Sequence, residues 1–234
     1  MIAHLSEANV RPDRIAVLVS GRGSNLQAIL DAIQTGILPA QVVGVFSDKP
    51  AAAALQRVGT ALRWSANPKD SPSREAFDAA LGDAIDAARP DWIVCAGYLR
   101  ILCDAFVERF RGRLLNIHPS LLPKYPGLRT HARAIAEGEA EHGASVHFVI
   151  PELDAGAVVA QARVPVHAAD DADVLAARVL EIEHPLLVAV LRLAVSGRLA
   201  EQGTTTTLDG HPLFTPLLLD SAGALRTPGA DEPV

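Results

Sequence analysis

The sequence predicts an α/β fold: a doubly wound, mostly parallel Rossmann-like sheet with helices on both faces and an antiparallel addition toward its C-terminal end. Three observations carry this. Short apolar runs recur at 15–19, 42–46, 92–96 and 114–117, separated by stretches with helical spacing. The first run ends in a glycine-rich turn that opens a helix. After His118 the texture changes to a proline-rich loop followed by two long strand-like runs.

The elements follow in order. Residues 15–19 read as a buried strand feeding Ser20-Gly21-Arg22-Gly23-Ser24-Asn25. Leu26, Ile29, Leu30 and Ile33 then share one helical face, and Gly36 is a suitable stop. Residues 42–46 read as a second strand, 51–58 as a helix and 62–64 as a weak third strand. Ser73 can cap a helix that carries Phe77, Leu81 and Ile85 on one side. Strands at 92–96 and 114–117 flank a helix at 105–110. Pro119, Pro123, Pro126 and Gly127 predict an ordered loop, and a short helix at 131–136 follows. Runs at 145–150 and 158–166, joined by a turn around Asp154-Ala155-Gly156, predict a hairpin or antiparallel addition. A helix over 172–195 closes the fold. The chain thus divides into an N-terminal extension (1–13), a main domain (14–203) and a tail (204–234), whose Pro212, Pro216, Pro228 and Pro233 suggest loose attachment.

Composition narrows the function classes. With 49% hydrophobic and 21% charged residues, the 234-residue chain can bury a sizeable core. The net charge is -6 and the 21 Lys and Arg residues are scattered, so no basic face for nucleic acid is expected. No apolar run approaches the roughly 20 residues that span a bilayer, and the start MIAHLSEANVRPD does not read as a signal peptide. The two cysteines, Cys95 and Cys103, form neither a CxxC pair nor a disulfide framework, which fits a reducing compartment. Cys95 reads as a buried free thiol.

Two groups of residues carry chemistry. In the turn Gly21-Arg22-Gly23-Ser24-Asn25, exposed N–H groups and a helix N-terminus converge, which suits a phosphate. Taken alone, the same glycines fit a plain tight turn equally well; the pattern is neither GxGxxG nor a Walker loop. Asp48, ending the second strand, keeps a nicotinamide-dinucleotide reading open. The second group is Asn116, His118 and Asp154. Asn116 and His118 sit at alternate positions of a strand end and so point the same way. Carboxyl ends of parallel strands are where ligands bind. Asn offers an amide donor and an imidazolium is both donor and acid. Asp154 lies in a Gly- and Ala-flanked turn, and its carboxylate would favour the charged form of His118. Each residue also has a plain structural reading, as a turn Asn, a satisfied His and a turn Asp. A serine-hydrolase reading of Ser120 lacks a GxSxG elbow. His131, His142 and His147 lack metal-ligand spacing, so no metal is expected, and His147 reads as part of a partly buried strand.

These residues lie in long stretches that resemble the folate-dependent formyltransferase family. The stretches are SGRGSNLQAI (20–29), AGYLRIL (96–102), LLNIHPSLLPKYPG (114–127) and EHGASVHFV (141–149). The run Asn-Ile-His-Pro-Ser-Leu-Leu-Pro is specific to formyl-folate enzymes, and its continuation Lys-Tyr-Pro-Gly resembles the branch acting on glycinamide ribonucleotide in purine synthesis. The resemblance spans about 15–199. It implies a formyltransferase fold with a nucleotide-binding half at about 14–113 and a catalytic and folate half at about 114–203. It implies formyl transfer from 10-formyltetrahydrofolate, as co-substrate, to the amine of glycinamide ribonucleotide, in the cytoplasm. The implied partners are these two small molecules, without nucleic acid, membrane or metal, and with homodimer formation left open.

The resemblance also assigns roles. Asn116, His118 and Asp154 are catalytic. Gly23, Ser24 and Asn25 hold the nucleotide phosphate, and Leu180, Glu181, Ile182 and Glu183 form its helix side. Arg74 meets the folate near its glutamate tail. Leu99, Arg100, Ile101 and Leu102 line one wall of the pterin slot; Ile150, Pro151, Glu152, Leu153 and Asp154 line the other, with Asn116 between. For Leu99, Ile101 and Leu102, core packing is an equally available reading. The chain departs from the family at Pro185, directly after Glu183-His184, which predicts a kink close to Glu183. Leu180 is apolar where the family commonly has a polar residue.

Overall fold

In the first strand, β1 (Asp13–Val19), alternate side chains enter two different cores. Ile15, Val17 and Val19 face one side of the sheet; Ala16 and Leu18 face the other. A strand buried on both faces reads as a continuous apolar run, which is why this one was visible in the sequence. The computed structural model describes residues 11–203 and 205–228. The first ten residues of the expected N-terminal extension, and residues 204 and 229–234 of the tail, lie outside them.

After β1 come α1 (Ser24–Gln34), β2 (Ala40–Ser47), β3 (Arg63–Ser65), α2 (Arg74–Ala88), β4 (Trp92–Cys95), α3 (Asp104–Arg109) and β5 (Leu114–His118). The strands β3-β2-β1-β4-β5 are parallel neighbours in that order. The order reverses between β1 and β4, and doubly wound sheets bind ligands at such a switch point, beyond the strands' carboxyl ends. Next are α4 (Thr130–Ala136), β6 (Glu141–Phe148), β7 (Val158–Pro165) and α5 (Ala172–Val195). The predicted antiparallel addition is β6 against β5 and β7 against β6. Helices α1 and α5 cover one face, with Leu26, Ile29, Leu187 and Val190 fully buried. Helices α2 and α3 cover the other through Phe77, Leu81, Phe106 and Phe110.

Two expectations are corrected. The helix expected over 51–58 is a single 3-10 turn at Ala53–Arg57, because Val58 is already extended and the chain must run on into β3. Helix α5 runs from Ala172 to Val195 without a break at Pro185. Pro185 removes the N–H that would bond the Glu181 carbonyl, but residues 181 and 185 are both exposed, so water can hydrate that carbonyl. The described part of the tail, 205–228, is not loosely attached. Strands β8 (Leu199–Gln202), β9 (Thr205–Leu208) and β10 (His211–Pro212) form a small antiparallel sheet. Then β11 (Leu217–Leu219) pairs in parallel with β7 and buries Leu217, while β12 (Leu225–Arg226) closes the edge. The prolines at 212 and 216 stand at the end of β10 and just before β11, where no ladder donor is lost.

Arg89, at the C-terminus of α2, is left-handed (φ 47, ψ 58) and precedes Pro90, which disfavours that conformation further. Its side chain is exposed. Arg89→Gly is expected to stabilise the fold by about 1 kcal/mol, raising Tm by roughly 3 °C. A thermal melt showing no rise would contradict that.

Candidate active site

Three loops meet beyond the carboxyl ends of β1, β4 and β5. Gly23 caps α1 with φ 74, and a Cβ there would lie 2.5 Å from the Ala54 Cβ, so this turn requires glycine twice over. The cap has no side-chain hydrogen bond and the first turn no acidic residue, leaving backbone N–H groups available to an anion. The loop after β4 is tied to the loop after β1. Ser20 N donates to Gly97 O (3.0 Å), Leu99 N donates to Ser20 Oγ (2.9 Å), and Ser20 Oγ donates to Asp48 Oδ1 (2.6 Å). Asp48 is therefore buried in a structural tie and not presented to a ribose, so the dinucleotide reading loses its acid.

A cavity of about 420 Å3 lies among these loops and the turn after β6. Its walls include Asn25, Leu99, Arg100, Ile101, Leu102, Asn116, His118, Ile150, Pro151, Leu153, Asp154 and Glu183, all expected at a site. Gly23, Ser24, Arg74, Glu152, Leu180, Glu181 and Ile182 do not line it. Gly23 and Ser24 adjoin it in the turn that carries Asn25. Arg74, whose side chain is 43% exposed, donates to the Leu102 carbonyl. Leu99 and Ile101 are 62% and 54% exposed, so core packing does not explain them; Leu102, at 7%, serves both purposes.

Asn116 and His118 do point the same way, and Asp154 joins them. His118 Nδ1 lies 3.5 Å from Asp154 Oδ2, and its Nε2–H donates to the Tyr125 carbonyl (2.9 Å). Both ring nitrogens face oxygen acceptors, an arrangement the imidazolium satisfies completely. Asp154 adopts φ 51, a conformation Asp tolerates better than most residues, and its Oδ2 accepts from Gly127 N (2.8 Å). This bond couples the Asp154 turn to the proline-rich loop after β5. Across the cavity, Asn25 Nδ2 donates to Glu183 Oε2 (2.7 Å). Burial raises the Glu183 carboxyl above its ordinary range, and the Asn25 bond opposes the shift.

One residue of the candidate site was missed. His147 faces Asn116 directly in the β5–β6 register, and Asn116 Nδ2 donates to its Nε2 (3.0 Å). That acceptor role is fixed because His147 Nδ1–H donates to the Phe148 carbonyl (2.7 Å). Burial favours the neutral ring strongly. His147 thus orients the Asn116 amide and leaves its second N–H free. The signal lay in register, since residue 147 opposes 116 only once β6 is known to run antiparallel.

Other groups are chemically quiet. Burial, with the Asp154 charge, pushes the Cys95 thiol up to about 12, so it is a neutral wall group. Burial likewise raises the Tyr98 phenol. His142, behind the proline-rich loop, is lowered to about 4 by burial and then by His131. The pH consequence has a definite sign. An unfolded chain protonates His142 near pH 6.5 whereas the native one does not until about 4. Stability is therefore complete above pH 6.5 and lost as pH falls. Between pH 7.5 and 5, His142 alone should remove about 2 kcal/mol, read as a drop in urea midpoint. His142→Asn should flatten that slope; an equally steep slope in the variant would refute the assignment.

Comparisons with known proteins show the family. The formyl transferase family profile matches residues 13–191. The chain is 49% identical over 201 residues to phosphoribosylglycinamide formyltransferase of Escherichia coli (strain K12), covering 85% of this chain and 95% of that one. It is 44% identical to the Haemophilus influenzae protein of the same name, over 86% of this chain and 95% of the other. Among solved structures, phosphoribosylglycinamide formyltransferase of Coxiella burnetii superposes with a TM-score of 0.81 at 45% identity, covering 86% of this chain and 96% of that one. The chain belongs to the formyl transferase family.

Proposed function

We propose that the chain transfers the formyl group of 10-formyltetrahydrofolate to the amino group of glycinamide ribonucleotide, giving the formylated nucleotide and tetrahydrofolate for purine synthesis. The observation that carries this reading is the convergence of Asn116, His118 and Asp154 between two unlike ends of one cavity. One end has Asn25, Glu183 and the N-terminus of α1. The other is an apolar slot of Leu99, Ile101, Leu102, Ile150 and Leu153. The first suits a phosphorylated sugar with a nearby amine; the second suits a flat heterocycle.

The mechanism is direct transfer. The neutral amine attacks the formyl carbon, and charge collects on the formyl oxygen. The free N–H of Asn116 and the Nε2–H of His118 donate to that oxygen, which takes the second by sharing or displacing the Tyr125 carbonyl bond. One such donor lowers the barrier by about 3 kcal/mol. As the tetrahedral intermediate collapses, His118 delivers a proton to the departing folate nitrogen. Asp154 holds the imidazolium and accepts, directly or through water, the proton the amine loses. These steps use neither a metal nor a covalent enzyme intermediate. Gly23, Ser24 and Asn25 bind the phosphate, with Glu183 directed at the glycinamide or ribose. The expected halves, 14–113 and 114–203, both contribute walls and the described residues of the tail contribute none, and the cytoplasm supplies both small molecules.

The test is an assay with both substrates that follows tetrahydrofolate formation. Product that depends on the amine acceptor supports the reading. Formate released equally well without the acceptor would instead make the chain a hydrolase.

A further inference from the structure

Asp78 is a charged residue with no exposed side-chain surface, on the face of α2 that packs behind the apolar slot. A carboxylate is kept buried only where partners hold it. Its Oδ2 accepts the backbone N–H of Cys103 (2.7 Å). Arg100 Nη2 lies 3.7 Å from its Oδ1, and Arg74 Nε lies 3.9 Å from its Oδ2. Both arginines act on the same segment. Arg74 donates to the Leu102 carbonyl, and the Arg100 guanidinium lies 4.7 Å from the Phe77 ring centre. Leu99, Arg100, Ile101 and Leu102 form one cavity wall yet belong to neither a helix nor a strand. Two of them expose most of an aliphatic side chain, so the hydrophobic core does not hold them in place.

We propose that Asp78 is a positioning residue for folate binding: through Cys103 N–H, Arg74 and Arg100, it clamps the segment 99–102 in the shape that receives the flat ring. The clamp rests on the reading of this slot as the folate site. Asp78 does not line the cavity and touches no reacting atom, so its removal should act on one substrate only. The same contacts account for Arg74. Its bond to the Leu102 carbonyl supports the slot's backbone.

The experiment measures kcat and both KM values for Asp78→Ala and Asp78→Asn, with Tm as a check on folding. For Asp78→Ala the KM for 10-formyltetrahydrofolate should rise about 10-fold, with kcat at saturation and the KM for glycinamide ribonucleotide within about twofold. Asp78→Asn keeps an acceptor for Cys103 N–H and loses the charge, so its folate KM should rise only about threefold. It also serves if the alanine variant does not fold. A lowered Tm with an unchanged folate KM, or both KM values rising together, would overturn the clamp. Ile101→Glu separates the two readings. If it leaves the folate KM unchanged, the slot itself is misassigned; if it raises that KM and the Asp78 variants do not, only the clamp fails.

Discussion

Asp154→Asn is expected to lower kcat by about 10³-fold while leaving the Kd for folate within about threefold. The substitution preserves size, and the amide oxygen can still accept the Gly127 N–H that anchors the turn. What it removes is the charge 3.5 Å from His118 Nδ1. Without it the imidazolium has no counter-ion in a site where both side chains are at most 9% exposed, and the neutral ring cannot protonate the leaving nitrogen. The proton lost by the amine also loses its acceptor. Both effects fall on turnover, because the apolar walls that bind the heterocycle are untouched. Single-turnover kinetics and a binding titration separate them. Full turnover in the variant would remove Asp154 from the mechanism, and a large loss of folate affinity would make it a binding residue.

How far the sequence reached depended on whether a feature was local. β1 and β4 were visible because strands buried on both faces carry continuous apolar runs, and in β5 Asn116 and His118 fell on one side because strand periodicity is strict. The bounds of α5 were readable even across Pro185. Whether a proline breaks a helix depends on which carbonyl it frees, and here Glu181 faces solvent. His147 and Asp78 were missed for a common reason. Each acts through a partner distant in sequence, 31 residues away for the Asn116–His147 bond and 25 for Asp78–Cys103, and no local pattern encodes such a pairing. Strand β11 escaped notice likewise: three leucines between prolines and a turn form a strand only because the edge of β7 is there to receive them.

Gly156→Ala is expected to reduce kcat by about 10²-fold and to lower Tm by roughly 3–8 °C. Its Cβ would stand 1.9 Å from the Phe148 carbonyl oxygen and 2.9 Å from its carbon, a backbone contact that no rotamer change can relieve. Either the turn carrying Asp154 moves away from β6 or the end of β6 moves away from the turn. The first shifts Asp154 from His118; a displacement near 1 Å at a reacting group is enough for a loss of this size. The second disturbs the Phe148 carbonyl, which fixes His147 in the tautomer that receives the Asn116 amide. One added methyl therefore reaches, through the backbone, two of the three groups proposed to act in catalysis. The double variant Gly156→Ala/Asp154→Asn provides the discriminating measurement. If the clash acts by displacing Asp154, the second change adds little once the first is made, and the combined loss falls well short of the product of the single losses. Losses that multiply would mean that the clash works through His147 and Asn116 instead.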